Sequence, residues 1–189
     1  MAGLFGSIKT AAEKRQHFRA DLESGTITRL PGAFNPLTAR LIQDIGGFGG
    51  VYVSGAVLAN DLGLPDIGLT TLSEVAQRSG QIARATDLPV LVDADTGFGE
   101  PMSAARTIAA LEDAGLAGCH LEDQVNPKRC GHLDGKEVVD KDIMVRRISA
   151  AVNERRDPNF IICARTDAAA VERVLAVLPD AVARARAAY

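Results

Sequence analysis

Short apolar runs alternate along the chain with longer stretches in which apolar residues recur every three or four positions. The first such stretch covers residues 8–24, with Phe18 and Leu22 four apart, and Gly25 ends it. Residues 27–30 read as a short strand closed by Pro31 and Gly32. Asn35-Pro36 then opens a helix, an N-cap followed by proline at the first helical position, with Leu37, Leu41 and Ile45 as its apolar stripe and Gly46-Gly47 as its stop. Further strands are predicted at 51–53, 88–92, within 116–121 and at 160–164. Thr71-Leu72-Ser73-Glu74 is a capping box whose helix turns Val75, Ile82 and Ala85 inward. Helices are also predicted over 102–114 and 141–155, the latter capped by Asp140 and apolar at Ile143, Val145, Ile148 and Val152. Residues 59–70 and 125–138 read as loops, and a last helical stretch runs to Tyr189 across Pro179.

Five β/α units in succession imply a parallel sheet with helical crossovers. A doubly wound sheet and an eight-unit barrel both accommodate them. Ser54, Asp93, Asp95, Glu122 and Arg165 fall just past the C-terminal ends of four predicted strands. Chemistry converging from several strand ends is the habit of the barrel. No GxGxxG follows the first strand, which argues against a dinucleotide-binding fold. The expected fold class is therefore α/β, of (β/α)8 TIM-barrel type but incomplete, with about five of eight units in one domain over 1–189.

Composition narrows the function classes. With 47% hydrophobic and 24% charged residues among 189, the chain is not disordered. Its net charge of −3 and lack of a basic block exclude a nucleic-acid binder. No apolar run reaches the roughly 18 residues of a membrane span. Three cysteines, an odd count without a secretion signal, point to a reducing cytoplasm rather than a disulfide framework. Cys119 and Cys163 lie in apolar strands and are expected in the core, and His17 on a helix surface.

In VDADTGFG, Asp93 and Asp95 stand two apart at a strand end and point the same way. Such paired hard oxygens suit Mg²⁺ or Mn²⁺, although a solvated turn with an Asp cap has the same spacing. Glu122, in HLEDQ, comes near them if the strands are neighbours, either to share a cation or to take a salt-bridge partner. In PKRCGH, Cys130 sits among Lys128, Arg129 and His132, and a thiol among cations exchanges its proton more readily. Gly131 beside it allows close substrate approach. No second Cys or His pair completes a zinc site. A Cys130–His132 nucleophile is unconvincing because residues two apart in one loop need not face each other.

Taken in order, YVSG, VDADTGFG, HLEDQ, PKRCGH and ARTD resemble the isocitrate lyase and phosphoenolpyruvate mutase superfamily, and the KRCGH form and compact spacing resemble its 2-methylisocitrate-cleaving branch. The resemblance implies a (β/α)8 barrel with Mg²⁺ (or Mn²⁺) at Asp93 and Asp95, and Glu122 as a third acid acting through water. It implies that Ser54, Gly55, Ala56, Asp66, Gly131 and Arg165 bind substrate. Cys130 is then the general acid on a mobile loop with Lys128 and His132, and Tyr52 the base. The implied partner is a small tricarboxylate, cleaved to pyruvate and succinate in propionate catabolism, in a cytoplasmic homotetramer that binds neither nucleic acid nor membrane. The likeness runs to about residue 171, residues 171–179 are more apolar than the pattern, and three further strands are expected beyond Tyr189. A C-terminally shortened barrel is thus the expectation. The alternatives are an inactive lyase-derived chain, a subunit completed by a partner, and a related lyase of the same superfamily acting on isocitrate or oxaloacetate.

Overall fold

The structure, a computed structural model, describes residues 6–168. Ten elements follow one another: α1 (Ala11–Glu23), α2 (Pro36–Ile45), β1 (Val51–Val53), α3 (Gly55–Asp61), α4 (Leu72–Ala85), β2 (Val90–Asp93), α5 (Pro101–Asp113), β3 (Gly118–Glu122), α6 (Lys141–Glu154) and β4 (Ile161–Arg165). Two of the three predicted caps form as hydrogen bonds, while Asp140, at the N-cap of α6, makes none with its side chain. Asn35 Oδ1 accepts from the Thr38 N–H, Thr71 and Glu74 close a capping box, and Thr10 and Glu13 close another.

The four strands are parallel and lie in chain order, β1-β2-β3-β4. An order that never reverses has no switch point. Right-handed crossovers then place the connecting helices on one face, and the sheet curls toward a barrel. Register sorts the residues into two faces. Val53, Val92, Cys119 and Ile162 align and are buried in the core under the helices. Tyr52, Leu91, Gly118 and Ile161 align on the other face, followed toward the C-terminal ends by Asp93, His120 and Cys163, then Glu122 and Arg165. Helix α1 seals the opposite end of the sheet. Lys14 Nζ donates to the carbonyls of Ala83 and Thr86, and Arg15 to those of Leu116 and Glu112.

Several expectations are corrected. Residues 27–30 form no strand. The parallel pairing comes just after them, where the Tyr52 N–H donates to Pro31 O (3.0 Å) and the Ala33 N–H to Tyr52 O (2.8 Å). Proline has no N–H to give but its carbonyl accepts, so it serves at this edge. The stretch expected as a loop from residue 59 begins inside α3, a helix too short for periodicity to reveal. On α2 the stripe Leu37, Leu41 and Ile45 is 67%, 52% and 74% exposed, while Ala39 and Ile42 face the core. Cys163 is exposed, not buried, because it sits on the inner face of β4, an edge strand of the described sheet, away from the helix-covered face that holds Ile162. Leu22 and Val152 are also exposed. The last helical stretch and residues 171–179 lie outside the described residues.

Candidate active site

The inner face ends in a continuous polar network. Tyr52, on β1, brings its hydroxyl to 2.8 Å from His120 Nε2, on β3, and the two rings stack with centroids 5.7 Å apart. Burial pushes the His120 pKa down despite Asp93, so the imidazole is neutral. Its Nδ1 lies 3.6 Å from Asp93 Oδ1. Burial, with Asp93's charge second, pushes the Tyr52 phenol well above its ordinary range.

Asp93 closes β2, and its Oδ1 accepts the Asp95 N–H at 3.0 Å. Asp95 takes a positive φ of 49°, an unfavourable backbone angle that turns its carboxylate back toward the sheet. A Cβ on Gly55, at the start of α3, would lie 3.0 Å from Asp93 Oδ2 and 3.2 Å from Asp95 Oδ1. Both carboxylates therefore close on one small space that glycine leaves open. Burial, with Asp93 next, pushes the Asp95 carboxyl up to about 6. Lys128 Nζ stands 2.8 Å from Asp95 Oδ1 and is also ion-paired to Asp66. Burial opposes the Lys128 charge, yet Asp95 and Asp66 together push its pKa up.

Glu122 is 2% exposed. Its Oε2 meets Arg165 Nη1 at 3.3 Å and its Oε1 accepts from Gln124 Nε2 at 3.0 Å. Burial outweighs Arg165 and pushes its carboxyl up to about 8. Arg165 also pairs with Asp167 at 3.2 Å. Gly131 lies so close over the guanidinium that a Cβ would fall 2.7 Å from Arg165 Nη2. Cys130 is half-buried. Its N–H donates to Asp66 O (3.0 Å), and its Sγ is 3.7 Å from His132 Nδ1. The two side chains do meet, so the expectation that they need not face each other is revised. The loop turns back over itself, with Lys136 Nζ donating to Gly131 O. Ser54 is the N-cap of α3, but its side chain makes no cap hydrogen bond.

Residues 18–189 match the family model described as phosphoenolpyruvate phosphomutase. The chain belongs to that family. It is 72% identical over 187 residues to a protein of Corynebacterium glutamicum named probable 2-methylisocitrate lyase 2, covering 99% of this chain and 59% of that one. A crystal structure of 2,3-dimethylmalate lyase, from the phosphoenolpyruvate mutase and isocitrate lyase superfamily, superposes with a TM-score of 0.83 at 37% identity, over 96% of this chain and 59% of the other. A phosphonopyruvate hydrolase in complex with oxalate and Mg²⁺ superposes at 0.82 and 31% identity, over 93% and 59%. The chain thus spans about 59% of the length of the curated relative it matches. The expected barrel type holds, and no described helix is long and apolar enough to cross a membrane.

Of the residues expected at the site, Tyr52, Asp66, Asp93, Asp95, Lys128 and Gly55 form one connected group. Glu122, Gly131 and Arg165 form a second, one strand over. Ala56 follows Gly55 on α3. Among the described residues no three His, Cys, Asp or Glu side chains gather as a metal cage. Glu122 turns to Arg165 and Gln124 rather than to the Asp pair. The two aspartates by themselves fit a divalent cation. They are buried, adjacent and hard, and both face the small space that Gly55 leaves open. His120, Gln124 and Asp167 were not singled out from sequence. Period-2 alternation carries the signal, since His120, Glu122 and Gln124 point one way, as do Arg165 and Asp167.

Proposed function

We propose that the chain belongs to a carbon–carbon lyase that cleaves 2-methylisocitrate to pyruvate and succinate. The observation that carries this reading is the 72% identity to the Corynebacterium glutamicum protein, spread over 99% of the chain. The buried acids, Arg165 and the clamped Cys130 loop support it.

The reaction needs a proton taken from the substrate hydroxyl, a bond broken between the hydroxyl carbon and its neighbour, and a proton returned to that neighbour. Tyr52 is held as a phenol, so it accepts the hydroxyl proton only as it passes its own to neutral His120 Nε2. The Nδ1–H of that tautomer faces Asp93. Arg165 holds a substrate carboxylate, and Ser54, its hydroxyl free of capping duty, offers a further hydrogen bond. Cys130 gives its proton to the carbon that becomes the methylene of succinate. Loop closure excludes competing water. Asp93 and Asp95 would hold Mg²⁺, which when bound polarises the substrate's hydroxyl and carboxylate oxygens. The three free cysteines support a reducing cytoplasm, and the exposed stripe of α2 supports assembly into a homo-oligomer.

The test is pyruvate release by the purified chain with Mg²⁺, offered 2-methylisocitrate, isocitrate, 2,3-dimethylmalate and oxaloacetate in parallel. Cleavage of the first above the others is expected. A folded chain that cleaves none of them, or prefers another, overturns the reading.

A further inference from the structure

Gln124 is 1% exposed and continues the inner face two residues beyond Glu122. Its Oε1 accepts from the Arg129 N–H at 2.9 Å. Its Nε2 faces Arg129 O at 2.9 Å, Glu122 Oε1 at 3.0 Å and Asp167 Oδ2 at 3.0 Å. An amide nitrogen has two hydrogens, so three acceptors share them. One side chain thus grips both backbone polar groups of Arg129, as a neighbouring strand would, and Arg129 immediately precedes Cys130.

The backbone of Gln124 is fixed in turn. Its carbonyl accepts from the buried Arg147 Nη1 at 3.1 Å. It bridges Val138 in antiparallel fashion, and the Val125 and Val139 N–H groups donate to Glu137 O and Asp123 O, each at 2.8 Å. These bonds close the base of the loop that carries Cys130.

We propose that Gln124 is a positioning residue whose carboxamide registers the Cys130 loop against Glu122 and Asp167, and so sets where the thiol stands over the substrate. The inference rests on the reading of Cys130 as proton donor, and names the group that places it. Glutamine suits the task because it offers a donor and an acceptor side by side to the Arg129 backbone. Glutamate would set a third carboxylate beside Glu122 and Asp167 and present no donor to Arg129 O. Methionine keeps the length and offers neither bond. Lys128 holds the loop separately, at Asp66 and Asp95, so Gln124 governs the half nearer β4.

The chain carries its own controls, since Cys119 is buried and Cys163 exposed. Purified parent, Gln124→Met and Gln124→Glu chains are labelled with iodoacetamide, and each thiol is followed by peptide mass spectrometry. In both variants Cys130 should react about tenfold faster, the scale of one net hydrogen bond lost from the closed loop. Cys163 should keep its rate and Cys119 its protection. Parental labelling of Cys130 overturns the proposal. So does acceleration of Cys119 in step with Cys130, which marks general loosening. Labelling requires no turnover. Absent cleavage with the labelling pattern intact would therefore remove the lyase reading and leave the role of Gln124 standing.

Discussion

Lys128 Nζ lies 2.8 Å from Asp95 Oδ1, and both residues are buried. The loop that carries Cys130 is thereby tied to the acid beyond β2, with Asp66 holding the same ammonium from the other side. Removing one partner of a buried pair leaves a charge in low dielectric, which costs about 3–5 kcal/mol. Lys128→Met is expected to lose stability on that scale in urea unfolding at pH 7. A loss below about 1 kcal/mol, the range of exposed pairs, would mean that water reaches the pair.

Glu122 makes a second prediction, in pH. Its folded carboxyl titrates near 8 against an ordinary 4.5, chiefly through burial. A raised carboxyl favours the protonated fold, so its stabilising contribution is full below 4.5 and is lost as pH rises through about 8. Asp95 adds a loss of the same sign as pH rises through about 6. Glu122→Gln removes the larger part of this slope while keeping an acceptor for Gln124. Its melting temperature should exceed the parent's at pH 8 and converge with it toward pH 5. A parent whose melting temperature rises between pH 6 and 8 would contradict the assignment.

Legibility in the sequence followed how local each signal is. The helix starts at Asn35 and Thr71 were readable because a cap is a contact between residues three apart. The strands were readable as apolar runs, and placing acids and Arg165 at their ends followed from them. The edge pairing at Pro31–Ala33 was misplaced because it depends on which backbone groups Tyr52 presents, a tertiary matter. Cys163 was misjudged for a related reason. Its run looks uniformly apolar, and only the pairing with His120 shows which face it takes. Within the site, residue types were legible but partners were not. Nothing local says that Lys128 meets Asp95, that Glu122 meets Arg165, or that Gln124 reaches around the loop to Arg129. The Cys130–His132 contact is local in sequence, yet it needs the loop folded back on itself, with Lys136 reaching Gly131 O.

Cys130→Ser tests the chemistry. A serine hydroxyl keeps the shape and is a far weaker acid than a thiol. General acid catalysis contributes typically about 10²–10⁴-fold, so kcat for 2-methylisocitrate cleavage should fall within that range. KM should change little, because Arg165 and Ser54 are untouched. Near-parental kcat in the serine variant would take Cys130 out of proton transfer.

Gly55→Ala separates the cation site from the fold. The added methyl would lie 3.0 Å from Asp93 Oδ2 and 3.2 Å from Asp95 Oδ1, in the space a shared cation would use. The position opens α3 rather than lying in its interior, and the contact obliges the Asp93 carboxylate to give by a few tenths of an ångström. Mn²⁺ titration by calorimetry should show binding to the parent, and binding weakened by about tenfold or more, at least 1.4 kcal/mol, in the variant. Without metal the variant should still unfold cooperatively, with at most a modestly lowered melting temperature. Added Mn²⁺ should raise the parent's melting temperature more at pH 8 than at pH 6, since a cation favours the ionised Asp95 carboxylate that burial disfavours. Equal Mn²⁺ affinity in parent and variant would place the cation away from the Asp93–Asp95 pair. A variant that binds weakly only because it has unfolded would show no cooperative melting transition before any metal is added, which separates loss of the site from loss of the fold.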